Sequence, residues 1–392
     1  MVDTGGTTGG PADETAGADE TGVSTLELFF DLVFVFAVTQ ITGVIADDPT
    51  ASGVAHGVVL FALLWWAWGA YAWLTNTVET RAMPARLVLL GAMAAALVLA
   101  VAVPTSFGDG GLAFGLAYLV VLSLHLALFA VAAENPADTR QALRRLAPTN
   151  LLAALLLVAG SLAGDRVHEA AFVLAVIVAY VGPYLTGVSG YTVHPRHFAE
   201  RHGLIVIVAL GESIIAIGAG GDEIAVDRAL AGTALLAISL VIALWWAYFD
   251  ADAERYERAL TASRGADRAR LARDIYSYLH VPLVLGVVLA AVGIHEALVH
   301  PREALDPVVG GVLAAGVALF FAGLGAMRLR CGARAGTGHV AIVGLALLVA
   351  LAAPHLAASA SLAVLAVGAL GAAVGDRWMS PAEAQPAVPP SR

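Results

Sequence analysis

Long apolar stretches alternate with short polar or charged breaks from residue 24 almost to the end of the chain. Within each stretch the apolar residues run continuously, without the period-two alternation of a membrane β-barrel strand. Most are long enough to cross a hydrocarbon core of about 30 Å at about 1.5 Å per helical residue. In order they predict twelve helices at about 25–46, 54–74, 86–103, 111–133, 146–163, 169–187, 202–220, 229–250, 275–296, 308–326, 338–353 and 356–375. Charge and proline mark the breaks, as in Asp47-Asp48-Pro49, Glu134-Asn135-Pro136, His194-Pro195-Arg196 and the arginine-rich 251–273. The shortest break is Pro354-His355, and fusion at such a point would leave eleven or ten helices.

The first helix sets the pattern. Ser24 with Glu27 three positions later reads as a capping box, which starts a helix there. The apolar run that follows carries a carboxylate, Asp31, and an amide, Gln40. A charge at depth in lipid costs about a few kcal/mol or more unless it faces protein or water, so this helix belongs inside a bundle. A second acid-bearing run, Gly203 to Gly218 with Glu212-Ser213 inside it, repeats the design about 173 residues later.

Composition strengthens this picture. The chain has 392 residues, 59% hydrophobic and 13% charged, with mean hydropathy +0.81. A soluble domain would carry roughly a quarter charged residues. The expected class is therefore an all-α, polytopic membrane helix bundle. Cys331 is the single cysteine, which excludes an internal disulfide and a thiolate metal cluster. The net charge of −10 holds no basic surplus and does not suggest a nucleic-acid partner. The partner it does imply is the lipid bilayer, and a homo-oligomer stays open.

All 21 basic residues are arginine, and they sort by side. With twelve spans, 18 fall on the side of both termini, and only Arg166, Arg228 and Arg302 fall opposite. The positive-inside rule then puts both termini in the cytoplasm. Residues 1–23 and 377–392, rich in small and polar residues, read as disordered cytoplasmic tails.

The two halves, 24–188 and 189–376, read as tandem six-helix repeats of the same orientation. Leu64-Trp65-Trp66-Ala67-Trp68 answers Leu244-Trp245-Trp246-Ala247-Tyr248, each in the helix after an acid-bearing one. Matching Glu27 to Glu200 pairs Thr39-Gln40 with Glu212-Ser213; matching Phe30-Asp31 to Gly211-Glu212 aligns the tryptophans better. The first register makes the helix starts coincide and is preferred.

Candidate chemistry rests on polar groups within spans. Glu212 is the deepest carboxylate, Asp31 lies nearer the surface, and Gln40 and Ser213 can bridge helices. His125 and His280 could relay protons or pair with the acids, although a core histidine with its hydrogen bonds satisfied is the commoner outcome. Ser24 and Glu27 form the helix cap. His194, His197 and His202 form a cytoplasmic cluster without ligand spacing, so no metal site is expected. The segment 251–273 reads as a solvated helix with pairs such as Glu254 and Arg258. The tryptophan pairs read as packing, or as the lining of a central cavity. No phosphate loop, dinucleotide fingerprint or nucleophile elbow occurs, so neither enzyme activity nor a cofactor is expected.

Glu27-Leu-Phe-Phe-Asp31-Leu-Val-Phe-Val-Phe-Ala-Val-Thr-Gln40, with Gly203-Leu-Ile-Val-Ile-Val-Ala-Leu-Gly-Glu-Ser213-Ile-Ile-Ala-Ile-Gly218, resembles the bacterial low temperature requirement A family over about residues 24–375. The resemblance implies a multi-pass inner-membrane protein linked by name to growth in the cold. A fainter likeness is to the six-plus-six endosomal potassium channels, whose repeats open with Phe-Ser-Asp. Phe29-Phe30-Asp31 lacks that serine and the second half lacks the triplet, so no potassium pore is carried over. The function expected is a channel or secondary transporter for a small cation, a proton or a proton-coupled solute, its path lined by Asp31, Gln40, Glu212 and Ser213. The alternative is a non-transporting protein of cold or envelope stress that acts through partners or lipids.

Overall fold

The computed structural model describes residues 22–77, 82–132, 136–187, 193–219 and 227–379. The two tails expected at 1–23 and 377–392 lie outside the described residues, except for 22–23 and for 377–379, which close the last helix. Six helices make the first half: α1 (Thr25–Asp47), α2 (Ala51–Thr77), α3 (Met83–Ala102), α4 (Gly111–Ala132), α5 (Pro136–Ser161) and α6 (Asp165–Thr186). The second half holds α7 (Pro195–Ala219), α8 (Arg228–Ala247), the short α9 (Ala253–Ala262) and α10 (Gly265–Ala272), then α11 (His280–Val299), α12 (Pro307–Arg330), α13 (Thr337–Ala352) and α14 (Ala358–Met379). Among the described residues, twelve helical stretches are long and apolar enough to cross a membrane, as the apolar pattern predicts.

The helix starts follow from local chemistry. Ser24 Oγ accepts from the Glu27 amide at 3.3 Å while Glu27 Oε2 accepts from the Ser24 amide at 2.9 Å, completing the expected capping box. Proline in the first turn opens α3 and α12, where its missing N–H costs nothing. Asp227 caps α8 through the Leu230 amide at 2.8 Å, and that hydrogen bond holds its carboxyl below the usual carboxylate range.

Two boundaries differ from the sequence reading. The seventh helix begins at Pro195 rather than near 202, so Arg201 and His202 lie inside the span. Polar residues at its start misplace the boundary, because they read as loop until their partners are known. The segment 251–273 is not simply a solvated helix. Turns of π-helix at Tyr248–Asp252 and Arg273–Leu279 carry α8 and α11 onward into α9 and α10 as 35-residue stretches. Glu254 and Arg258 do pair on the exposed face, at 3.7 Å. The opposite face is buried: Tyr256 and Leu260 pack inward, and Asp252 accepts from Arg328 Nε at 2.8 Å.

Packing places α11 at the centre, with 78% of its most apolar window buried, against 28% for α5, α6 and α13. The outer helices turn leucine, valine and isoleucine outward, as with Leu155, Ile177, Leu347 and Leu351. An apolar outer face of this kind suits lipid rather than water. Neighbours recur in matching order in the two halves. In the first half α1 packs on α2 and α3, α3 on α4, α4 on α5, α5 on α6, and α2 on α6; in the second α7 packs on α8 and α11, α11 on α12, α12 on α13, α13 on α14, and α8 on α14. The halves meet where α1 and α2 contact α7 and α11.

Backbones of α11 and α12 approach closely. A Cβ on Gly286 would stand 2.5 Å from the Gly316 carbonyl oxygen, and one on Gly316 would stand 2.5 Å from the Ala290 amide nitrogen. Such backbone approach is how small residues hold membrane helices together. Gly286→Ala and Gly316→Ala should each cost about 1–3 kcal/mol by overpacking. The thermal unfolding midpoint in detergent should fall by several degrees for both, while Gly311→Ala, which meets nothing within 4 Å, should leave it unchanged.

Candidate functional site

The polar groups of the seam stand on α1, α2 and α7, and they form two tiers. In the tier nearer the helix starts, Arg201 of α7 reaches across to α1. Its Nη1 donates to Glu27 Oε1 at 2.9 Å and its Nη2 to Asp31 Oδ1 at 2.8 Å. From α2, Trp68 Nε1 also donates to Asp31 Oδ1 at 2.9 Å, and Thr75 Oγ1 accepts from Arg201 Nη1 at 3.0 Å. His197 Nε2 lies 3.3 Å from the Glu27 carboxylate. Arg201 is 1% exposed, Asp31 2% and Glu27 3%, so the cluster is shut from the surroundings. Glu27 thus caps its own helix and ties α1 to α7.

The second tier lies deeper. Eleven residues separate Arg201 from Glu212, a rise of about 16 Å along α7. There Thr39 Oγ1 donates to Glu212 Oε2 at 2.6 Å, and the Glu212 side chain is buried against α1. No cation faces Glu212 among the described residues. Gln40, half-buried, follows Thr39 directly, and Ser213 is fully buried with its Oγ lacking a hydrogen-bond partner. Thr39 and Glu212 are 173 residues apart, while Arg201 is 174 from Glu27 and 170 from Asp31, so α1 and α7 run parallel in nearly constant register.

Charge does not balance in the first tier. Glu27 and Asp31 offer two carboxylates to the one guanidinium of Arg201, with His197 at the margin. Two buried polar atoms also stay open, Asp31 Oδ2 and Arg201 Nε. Buried polar atoms are nearly always satisfied, so open ones mark a place for a proton, water or ion.

The two histidines lie elsewhere. His280 is buried with both ring nitrogens engaged, Nε2 to the Tyr248 hydroxyl at 2.9 Å and Nδ1 to the Ile275 carbonyl at 2.9 Å. His125 is buried against Tyr71, with Nδ1 unpartnered, and lines a separate cavity. The cytoplasmic histidine cluster divides its work. His197 meets Glu27 and Asn76, the Asn76 amide holds the His194 backbone, and His202 is packed among Trp68, Phe198, Tyr276 and His280.

The matched tryptophans do not share an environment. Trp65 is buried and donates to the Ser277 carbonyl at 2.9 Å, and Trp66 donates to Asn150 Oδ1 at 3.2 Å. Trp245 is 48% exposed on the outer face. The first pair lines a cavity with a volume of about 70 Å³ among α2, α4, α5, α6 and the turn before α11, and Trp245 and Trp246 do not line it. Asp31, Gln40, Glu212 and Ser213 do not line it.

Arg201 is the residue that sequence reading missed. Counted with the loop arginines between the sixth and seventh spans, it proves to be the partner of both first-helix acids. The available signal was Asp31 itself: a carboxylate inside a span calls for a cation, and Arg201 stands near the start of the helix that carries Glu212.

Residues 22–374 match the family model of the bacterial low temperature requirement A protein. A protein of Rhizobium meliloti (strain 1021), described as uncharacterized, is 29% identical over 299 residues, covering 73% of this chain and 72% of that one. No solved structure matches.

Breaking a buried ion pair from one side leaves an uncompensated charge and costs about 3–5 kcal/mol. Arg201→Met should therefore lower the thermal unfolding midpoint strongly. The triple variant Glu27→Gln, Asp31→Asn, Arg201→Met should recover part of that loss, because the charges vanish together.

Proposed function

The chain belongs to the bacterial low temperature requirement A protein family, and we propose that it is a channel or secondary transporter for a small cation or a proton-coupled solute. The observation that carries this reading is Glu212. It is a buried carboxylate deep in a span whose described partner is a hydroxyl rather than a cation. Ionisable groups kept at such depth are expensive, face the bundle interior and mark ion or proton paths. The first tier adds a surplus carboxylate and two open polar atoms at the same α1–α7 seam. Together the tiers make a two-step ladder along parallel helices, with Glu27 and Asp31 nearer the helix starts and Glu212 beyond.

The matching neighbour order in the two halves supports a tandem repeat of two six-helix units in one orientation, about an axis along the membrane normal. In that arrangement Thr39 and Glu212 are pseudo-equivalent and face each other at the axis. The arginine bias supports cytoplasmic termini and, with them, a first tier on the cytoplasmic side of the inner membrane. Because Glu27 and Arg201 hold the helix starts together, proton or cation exchange at the first tier is coupled to the α1–α7 contact.

One observation favours a second reading, a non-transporting protein acting through partners or lipids. The described cavity stops short of both carboxylate tiers. On that reading the acids are helix fasteners, and their amides would serve equally well.

Flux separates the two. Reconstituted into liposomes under an imposed pH gradient, the wild-type chain should move protons or a monovalent cation. Glu212→Gln should reduce the rate at least tenfold, and Asp31→Asn should also slow it. Full flux in both variants removes these residues from the path. No flux of protons, sodium, potassium or lithium by the wild type removes the transport class.

A further inference from the structure

On the transport reading, the surroundings of Glu212 decide which ion the seam carries, a proton or a metal cation. Two hydroxyls on one face of α1 meet this carboxylate. Thr39 Oγ1 donates to Oε2 at 2.6 Å, and Thr42, three residues on, interacts with the same group. Each hydroxyl also has a backbone acceptor one turn back on α1. Thr39 Oγ1 lies 3.2 Å from the Val35 carbonyl oxygen, and Thr42 Oγ1 lies 3.2 Å from that of Val38. A hydroxyl carries one hydrogen and two lone pairs, and a carbonyl that accepts one helix bond keeps a second lone pair. Each threonine can therefore give its hydrogen to Glu212 or to its own helix, by rotation about a single bond.

That choice satisfies Glu212 in both charge states. Ionised, the carboxylate accepts from Thr39, and 2.6 Å is the length of a hydroxyl bond to a charged oxygen. When a proton taken from water forms an O–H bond at Oε2, that O–H donates to Thr39 Oγ1, and Thr39 turns its own hydrogen to the Val35 carbonyl. No heavy atom has to move. A metal cation finds less. On leaving water it needs a shell of oxygens in place of its hydration, and in transporters that shell draws on carbonyls freed where helices unwind. Here α1 and α7 run as unbroken α-helix over Thr25–Asp47 and Pro195–Ala219, so their carbonyls point along the helix axes. Among the described residues, no acid, histidine or cysteine joins Glu212 in a metal-binding group. Nor does any charged or titratable side chain on the helices packed against α7 bear on it electrostatically. We propose that Glu212 is a proton site, that Thr39 and Thr42 form the hydroxyl switch that accommodates the proton, and that the ion carried at this seam is H⁺ rather than sodium, potassium or lithium.

Infrared titration of the full chain in a lipid film, in choline, sodium, potassium or lithium chloride, tests the ion, and proton flux in liposomes tests the switch. The carboxyl band lost in Glu212→Gln should titrate at the same pH in all four salts. Thr39→Val keeps the shape and removes the hydroxyl; it should slow proton flux about tenfold or more, because a hydrogen bond to a charged group is lost. Thr39→Ser, which restores the hydroxyl, should run close to the wild type. A midpoint that moves with sodium, potassium or lithium means that a metal competes for the carboxylate, and it would overturn the proposal. So would the absence of any band lost in Glu212→Gln, wild-type flux in Thr39→Val, or a Thr39→Ser variant as slow as Thr39→Val. The band titration needs no threonine variant, so it decides even where Thr39→Val fails to fold. A salt-independent band in a chain that moves no ion upholds the proton site and removes transport; flux of a metal cation without protons upholds transport and removes the proton site.

Discussion

One guanidinium faces two carboxylates where α1 and α7 enter the bundle, and the meeting of the two halves depends on that contact. Arg201 is nearly without exposure, and it joins Glu27, Asp31 and Thr75 across three helices. Ions taken out of water are costly, and only close pairing with hydrogen bonds on the remaining atoms offsets the loss. Trp68 and Ser24 supply such bonds. What stays unbalanced is informative. A surplus carboxylate and two open polar atoms are poor fasteners, because each leaves part of its desolvation cost unmet.

From this contact the register follows. α1 and α7 run parallel, and the offset that joins Glu27 to Arg201 also brings Thr39 to Glu212. The seam is therefore polar at two heights and apolar between them, where Phe34, Ala37, Val206 and Ala209 are buried. The aromatic block of Trp65, Trp68, Phe198, His202 and Tyr276 lies beside the first tier and separates it from the cavity around Trp66. Two chemically different compartments thus share one bundle. One is acidic and lies on the seam; the other is aromatic and lies between the first half's helices and the turn before α11.

The architecture was largely legible in the chain, because span length and continuity obey bilayer thickness without reference to neighbours. The Ser24–Glu27 cap was legible for the same local reason. Arg201 was not, since an arginine six residues into a polar helix start looks like a loop residue until Asp31 is set opposite it. The π-helical turns around Asp252 and Tyr276 were also hidden, and the contacts beside them, Arg328 with Asp252 and Tyr248 with His280, join residues 76 and 32 positions apart. The tryptophan match was visible as a pattern and misleading as environment. Trp65 faces the core and Trp245 the outside, because α2 lies inside the seam while α8 turns one face outward.

The central claim is that a carboxyl group at the α1–α7 seam exchanges its proton or cation in the folded membrane protein. Infrared difference spectroscopy of the full chain in a lipid film, taken across a pH step, observes that group directly. A carbonyl stretch of a protonated carboxylic acid should appear, shift in heavy water, and lose its main component in Glu212→Gln. A difference spectrum identical in wild type and variant, with no carboxyl band assigned to the seam, would contradict the account.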